Sequence, residues 1–217
     1  MLFSLLWALL GGLLGLSVNY LSLRLEQAEL ASMESFTLRT NRWLSYLLPA
    51  GGALLFGAFA FKLHFGLSLI LVSLWVLIFL QILVVDFAYR MILDWVVLPG
   101  CVLAFLSAIA APTALGVKDW KVDLLCGFLA LAFFLLLYFL PLLIMKVEAM
   151  GFGDVKLGLF IGLALGTAAF PGIIYGIVLG GLVPGVLLVL RLKKRKDYLP
   201  YGPFLCLGAL AALFLRS

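Results

Sequence analysis

Three aspartates stand at the edges of apolar segments, where a carboxylate is energetically costly. Asp86 ends the run LIFLQILVVD, Asp94 begins the run DWVVLPG, and Asp154 follows Gly-Phe-Gly and precedes VKLGLFIGLALG. Carboxylates at membrane depth usually face a protein interior or a water-filled cavity, and they often mark functional sites. These three residues are therefore the first candidates for chemistry in the chain.

A structural role as a helix cap competes with this interpretation. Aspartate is a favoured N-cap residue, and its charge is stabilised by the positive end of the helix dipole. Asp94 and Asp154 both stand at predicted helix starts, so each taken alone is explained equally well as a cap. Asp86 stands at a predicted helix C-terminus, where the dipole disfavours a negative charge. It is therefore the hardest of the three to explain by structure alone.

Two carboxyl groups at hydrogen-bonding separation can carry out proteolysis. They cannot both ionise cheaply, so they share one proton. The ionised group then acts as a general base on a water, while the protonated group polarises the scissile carbonyl. We predict that two of the residues Asp86, Asp94 and Asp154 form such a catalytic pair. Gly151 and Gly153, which lack a Cβ, are expected to form a flexible stretch that lets Asp154 meet its partner and lets a substrate strand approach.

Other reactive side chains are scarce or isolated. The single histidine, His64, lies in FKLHFG with no Ser–His pair or metal-binding cluster nearby, and we interpret it as an interfacial residue. The three cysteines are widely spaced in apolar stretches without a C-x-x-C pair: Cys101, Cys126 and Cys206. This spacing supports neither a zinc site nor a redox motif, so no metal and no cofactor are expected.

The remaining acidic residues are expected to be ordinary polar groups of the loops, with one exception. They are Glu26, Glu29, Glu34, Asp119, Asp123 and Asp197. Glu148, which precedes the glycine segment, fits either a surface role or a role in the site.

The composition defines the surroundings in which these carboxylates must work. Apolar residues make up 66% of the chain and charged residues 12%, with a mean hydropathy of +1.27. A soluble domain is about half apolar and about a quarter charged. A chain of 217 residues cannot bury this much apolar surface in one core, so it requires lipid. The net charge of +5 is assigned to the loops of a membrane protein and not to nucleic-acid binding.

Apolar runs long enough to cross a bilayer, about 20 residues each, divide the chain into eight predicted helices. They cover residues 2–23, 45–62, 66–86, 94–112, 123–145, 155–170, 172–190 and 201–215. We predict an all-α, polytopic membrane helix bundle that forms a single domain over 1–217. The division between the sixth and seventh helices is placed at Pro171, because Phe-Pro-Gly interrupts the run there.

The basic residues predict the orientation of this bundle. With the N-terminus outside, eleven of the 15 Lys and Arg residues fall in cytoplasmic segments and four in outer ones. The opposite orientation would violate the positive-inside tendency. Asp86, Asp94 and Asp154 then lie at the cytoplasmic face on three different helices.

Four segments, taken in order, resemble the type IV prepilin peptidases, which are membrane aspartic proteases of the GxGD type. They are GLLGLSVNYLSLRL (12–25), VVDFAYRMILDWVVLP (84–99), MGFGDVKLG (150–158) and LPYGPFLCLGAL (199–210). The resemblance implies that Asp86 and Asp154 are the two catalytic aspartates. It also implies supporting roles for the other members of these motifs: Gly151, Gly153, Asp94 and Lys156.

Two departures from the family pattern refine the expectation. Leu93 replaces the family's proline before the second aspartate of the first motif, so we interpret Asp94 as supporting and not catalytic. Larger members carry a cytoplasmic domain after the first helix, often with paired C-x-x-C zinc motifs, which is associated with S-adenosylmethionine-dependent N-methylation. Here the predicted cytoplasmic loop 24–44 contains no cysteine. A short form with peptidase activity alone is expected.

The resemblance also implies a substrate and a location. The substrate is a type IV prepilin or a type II secretion pseudopilin with a basic leader, cut after a glycine at the cytoplasmic face of the bacterial inner membrane. Two alternatives stay open: a non-enzymatic transporter or assembly scaffold, and another GxGD-type intramembrane protease. A transporter would show charged segments near the midplane and inverted repeats, and the sequence has neither. The oligomeric state is not predicted.

Overall fold

A computed structural model describes residues 2–30, 42–110, 120–146, 150–190 and 200–216. These residues form eight α-helices and no strand. The helices are α1 (Leu2–Leu30), α2 (Arg42–Lys62), α3 (Leu67–Tyr89), α4 (Asp94–Ala110), α5 (Trp120–Met145), α6 (Phe152–Leu165), α7 (Ala169–Val189) and α8 (Gly202–Arg216), with a short 3₁₀ helix at Gly166–Ala168. The prediction of an all-α bundle is confirmed.

Several of these helices are suited to a lipid environment. Among the described residues, three stretches are long and apolar enough to cross a membrane: Leu67–Phe87, Trp120–Ile144 and Phe152–Val186. Shorter apolar helices cover Leu2–Val18, Leu48–Lys62, Asp94–Ala110 and Gly202–Arg216. Large apolar side chains cover the outside of α5, for example Leu125, Phe128 and Leu136. An apolar outer surface of this extent indicates a membrane protein.

An aromatic contact between Phe79 and Phe160 fixes the position of α3 relative to α6 along the bundle axis. The rings of Phe79 and Phe160 lie 5.1 Å apart, and both side chains are fully buried. Asp86 lies about 10 Å further along α3 than Phe79, and Asp154 lies about 9 Å before Phe160 on α6, at the helical rise of 1.5 Å per residue. Because α3 ends and α6 begins at this side of the bundle, the contact brings the two aspartates to the same level.

Glycines let neighbouring helices approach closely, as is common between membrane helices. A Cβ at Gly162 of α6 would lie 2.6 Å from the Cα of Gly127 of α5, so neither position has room for a side chain. Gly11 and Gly52 face each other in the same way between α1 and α2. The contact of Gly162 with Gly127 holds α6, the helix that carries Asp154, close against α5.

The break between α6 and α7 differs from the prediction. It lies at Gly166, whose φ of 56° and ψ of −128° suit glycine, and not at Pro171. Pro171 lies in the first turn of α7, where its missing N–H costs no helical hydrogen bond. The sixth helix also begins earlier than predicted, at Phe152, so Asp154 lies inside its first turn.

The predicted loop 24–44 is partly helical, because α1 continues to Leu30 and α2 begins at Arg42. Residues 31–41 lie outside the described residues, as do Glu34, Asp119, Glu148 and Asp197. All three cysteines are buried and form no disulfide.

Polar side chains lie close together at the C-terminal ends of α6 and α8. Arg216 donates a hydrogen bond to the Leu165 carbonyl, and Lys62 donates one to the Phe214 carbonyl. Asp123 is only 7% exposed, and its charge acts on Arg216. The prediction that Asp123 is an ordinary surface residue is therefore wrong. Helix α5 begins before Asp123 and turns it inward toward α8.

Candidate functional site

A cavity of about 360 Å³ opens at the opposite end of these helices. It lies between the end of α3, the turn at 90–93, the first turns of α4 and α6, and the two residues that precede α8. All six residues that the sequence predicted for the site line it: Asp86, Asp94, Gly151, Gly153, Asp154 and Lys156. The structure thus brings together residues that are up to 70 positions apart in the sequence.

Asp86 lies in the last turn of α3 and is 4% exposed. The helix ends just beyond it, because Arg90 adopts the left-handed conformation (φ 57°) and its N–H bonds to the Asp86 carbonyl at 2.9 Å. The side-chain carboxylate of Asp86 accepts a hydrogen bond from the backbone N–H of Gly202 in α8. Asp86 is therefore anchored by a helix other than its own.

Asp154 is the third residue of α6 and is 5% exposed. The N-cap of this helix is Gly151, whose carbonyl accepts the Asp154 N–H at 3.1 Å. The Asp154 carboxylate in turn accepts from the backbone N–H of Gly151, which is one half of a capping box, because the N-cap glycine has no side chain to complete it. Asp154 is thus not the N-cap itself, and its carboxylate is held at the start of α6 and faces the cavity.

The two buried carboxyls are close enough for the charge of Asp86 to act on Asp154. Two like charges at such a site do not both ionise cheaply. The arrangement can offer one basic and one acidic oxygen to a water and a carbonyl group in the cavity.

Asp94 and Lys156 form an ion pair at the mouth of the cavity. The Lys156 Nζ lies 2.7 Å from both carboxylate oxygens of Asp94, and it also lies 5.2 Å from the centre of the Phe152 ring. The Leu93 carbonyl accepts the first hydrogen bonds of α4, from Val96 and Val97. Asp94 is therefore not the N-cap of α4, and its carboxylate is directed to Lys156.

Gly153 serves close packing and not flexibility. It lies within the first turn of α6, where a Cβ would come 2.8 Å from the Cβ of Ile92 in the 90–93 turn. The expected flexible stretch before Asp154 is thus a helix start packed on the turn that follows Asp86. Gly151 has room for a Cβ, whose nearest neighbour would be the Asp154 carboxylate at 3.8 Å.

Pro200, Tyr201 and Gly202 were not predicted to belong to the site, although they lie in the segment LPYGPFLCLGAL. Pro200 and Tyr201 line the cavity. Burial, and secondarily the charge of Asp154, raises the pKa of the Tyr201 phenol, so it stays protonated at neutral pH. Its hydroxyl donates to the Ile177 carbonyl at 3.4 Å.

Within the described residues, no cluster of three or more His, Cys, Asp or Glu side chains is arranged to hold a metal ion.

The fold and the cavity define a helical membrane protein with two buried carboxyl groups at one end of its bundle. The chain belongs to the type IV leader peptidase family, whose match covers residues 70–189, more than half of the chain. That range includes Asp86, Asp94 and Asp154. The family resemblance predicted from the sequence is confirmed.

Individual relatives match the chain over different lengths. It is 30% identical over 156 residues to a prepilin leader peptidase/N-methyltransferase of Legionella pneumophila, which covers 70% of this chain and 52% of the relative. It is 34% identical over 76 residues to a protein of the same name from Burkholderia pseudomallei, covering 35% and 25%. A leader peptide-processing enzyme for type 4 prepilin-like proteins from Escherichia coli is 30% identical over 112 residues, covering 52% and 39%.

The chain spans between a quarter and about half of the length of these relatives. No solved structure matches the chain significantly.

Proposed function

We propose that this protein is an aspartic endopeptidase that removes the leader peptide from type IV prepilins or type II secretion pseudopilins. Asp86 and Asp154 are its catalytic pair. The observation that carries the proposal is the meeting of two buried carboxyls, from α3 and α6, in one cavity at the end of the bundle. The family match and the names of the relatives support the reaction and the substrate class.

In this mechanism the ionised carboxyl takes a proton from a water, and the resulting hydroxide attacks the carbonyl carbon of the scissile peptide. The protonated carboxyl gives its proton to the carbonyl oxygen. When the tetrahedral intermediate collapses, the C–N bond breaks and the pair returns a proton to the leaving amine. One carboxyl must be charged and the other neutral at the start, as a shared proton requires.

The location of the cavity suits a substrate that leaves the membrane at this point. The aspartates lie at helix ends and not at the middle of the long apolar helices, which argues against an ion pathway through the midplane. The positive-inside bias supports placing this end at the cytoplasmic face of the bacterial inner membrane, with the chain crossing the bilayer several times. Lipid and a prepilin-like precursor are then its partners, and the whole of 1–217 acts as one membrane-embedded domain.

Peptidase activity without N-methylation is proposed, because residues 24–44 contain no cysteine and so cannot form the paired C-x-x-C motifs associated with the methylating members. The purified protein in detergent is incubated with a prepilin-like precursor and S-adenosylmethionine, and the products are weighed by mass spectrometry. We expect loss of the leader after a glycine, with no added methyl group. An intact precursor would overturn the proposal and favour a scaffold. Cleavage within an apolar helix would favour another GxGD protease.

A further inference from the structure

The start of α8 leaves a backbone N–H without a partner inside its helix. The Tyr201 carbonyl accepts hydrogen bonds from Phe204 at 3.1 Å and from Leu205 at 3.3 Å, so Tyr201 is the N-cap. Pro203 has no N–H to donate. The N–H of Gly202 therefore has no acceptor within α8. The first N–H groups of any α-helix are in this position and need an acceptor outside the helix.

That N–H is used by the carboxylate of Asp86, on a different helix. Asp86 is 96% buried from solvent, so a donor from the protein replaces the water that an exposed carboxylate would have. Asp86 also lies near the negative end of its own helix dipole, whereas the start of α8 presents a positive end. The Gly202 N–H therefore stabilises a charge that α3 alone disfavours.

Glycine at position 202 is required by space and not by backbone conformation. A Cβ there would collide with Oδ2 of Asp86 and would lie 3.2 Å from Cδ1 of Ile92. Gly202 is not among the residues with positive φ, so its backbone is open to other residues. The ring contact of Phe87 with Phe204, at 6.2 Å between centroids, holds the ends of α3 and α8 together at this point.

We propose that Gly202 is a positioning residue of the active site: its amide holds the Asp86 carboxylate in its charged form and aims it into the cavity. This rests on the proposed peptidase function. The other titratable groups that face Asp86 are Asp154 and Lys156 on α6, Asp94 on α4, Arg90 in the turn, and Tyr201 and Cys206 near or in α8. Asp94 and Lys156 are paired with each other, which leaves Asp154 as the acid that shares a proton with Asp86.

The decisive experiment is the pH–rate profile of Gly202→Ala in the precursor-cleavage assay. We expect kcat to fall about 10- to 100-fold, since the new Cβ displaces the Asp86 carboxylate from the amide at position 202 and so breaks a hydrogen bond to a charged group, while KM changes less than about twofold. The acidic limb should move to higher pH, because a carboxylate that has lost its donor holds its proton more tightly. A change that only loosened packing would lower kcat without moving this limb. Gly181→Ala is the matched control, since nothing lies within 4 Å of that position. An unshifted profile in Gly202→Ala would overturn the proposal.

A second measurement covers the case in which Gly202→Ala folds poorly. The Tm of the detergent-solubilised protein is compared for Gly202→Ala in the natural background and in an Asp86→Ala background. If the new Cβ collides with the Asp86 carboxylate, alanine should cost much less stability once that carboxylate is gone. Equal costs in both backgrounds would overturn the proposal. The Tm comparison needs no catalysis, so it tests the role of Gly202 independently of the peptidase proposal. Failure of the peptidase proposal would instead appear as an uncleaved precursor.

Discussion

Lys156 on α6 holds the carboxylate of Asp94 on α4 with both N–O distances at 2.7 Å. Lys156 follows Asp154 by two residues, and Asp94 follows Asp86 by eight, so the ion pair joins the two chain segments that carry the buried aspartates. It does so at the rim, where the side chains of Lys156 and Asp94 are 27% and 50% exposed. The ion pair therefore holds the start of α4 close to the start of α6. The buried carboxyls of Asp86 and Asp154 face the cavity.

Asp86→Asn and Asp154→Asn should each lower cleavage at least about 1,000-fold, because each removes one proton-transferring group of the pair. Both variants should remain folded and inserted, since asparagine keeps the shape of the side chain. Gel and mass-spectrometric analysis of the precursor gives the rate, and the Tm in detergent reports folding. Asp123→Asn, assayed below its own Tm, is the control: it also replaces a buried aspartate, but at the opposite end of the bundle from the cavity. Cleavage by either purified active-site variant would refute the catalytic assignment.

Asp94→Asn should reduce kcat less than about tenfold, because a partly exposed ion pair contributes about 1 kcal/mol or less. Lys156→Met should have an effect of similar size. If the pair acts by joining α4 to α6, the exchange Asp94→Lys with Lys156→Asp should recover much of the loss. Rates of all four proteins at two salt concentrations complete the test, since salt weakens the natural pair. A folded Asp94→Asn variant without any activity would instead place Asp94 among the catalytic residues.

The sequence predicted which residues form the site better than it predicted the helix boundaries around them. Asp86, Asp94 and Asp154 could be selected because acidic residues are rare in apolar runs, and the lengths of these runs together with the charge bias were enough to expect them at one end of the bundle. The break at Gly166 could not be distinguished from the one expected at Pro171. Proline is accepted in a first helical turn, and the need for a positive φ at one of 22 glycines leaves no mark in the sequence.

Contacts between distant positions account for the other differences. Asp123 looked like a surface group because Lys118, Asp119 and Lys121 surround it in the sequence, but its charge acts on Arg216, 93 residues later. The Gly202 N–H reaches Asp86 across more than a hundred residues. No local pattern of residue types encodes such a pairing, because it depends on how α5 and α8 pack against the rest of the bundle.

Gly151→Ala and Gly153→Ala should differ sharply although the two glycines are only two residues apart. A Cβ at Gly153 would come 2.8 Å from that of Ile92, so alanine there must push the start of α6 away from the 90–93 turn and disturb the spacing of Asp86 and Asp154. We expect a lower Tm and at least tenfold slower cleavage, as misplacement of reacting groups by about 1 Å can be this costly.

Alanine at position 151 meets only the Asp154 carboxylate, at an ordinary 3.8 Å, and Gly151 has a φ of −73°. Its cost is that of replacing a glycine N-cap, about 1 kcal/mol or less, with cleavage largely retained. Tm and kcat measured side by side test this contrast. A Gly153→Ala variant as stable and as active as Gly151→Ala would contradict the close-packing role of Gly153.

Arg216→Met should destabilise the bundle while leaving the chemistry of the cavity intact. The substitution removes the hydrogen bond to the Leu165 carbonyl at the end of α6 and leaves the buried Asp123 without this compensating charge. Removing one member of a buried charge pair costs more than removing both, because the remaining charge stays desolvated. The double variant Asp123→Asn with Arg216→Met should therefore regain part of the lost Tm. Cleavage below the Tm of each variant should keep the natural pH–rate profile, since Arg216 lies at the other end of α8 from Gly202. A shifted profile would mean that the two ends of the bundle are coupled, and equal Tm losses in the single and double variants would mean that Arg216 acts on Leu165 alone.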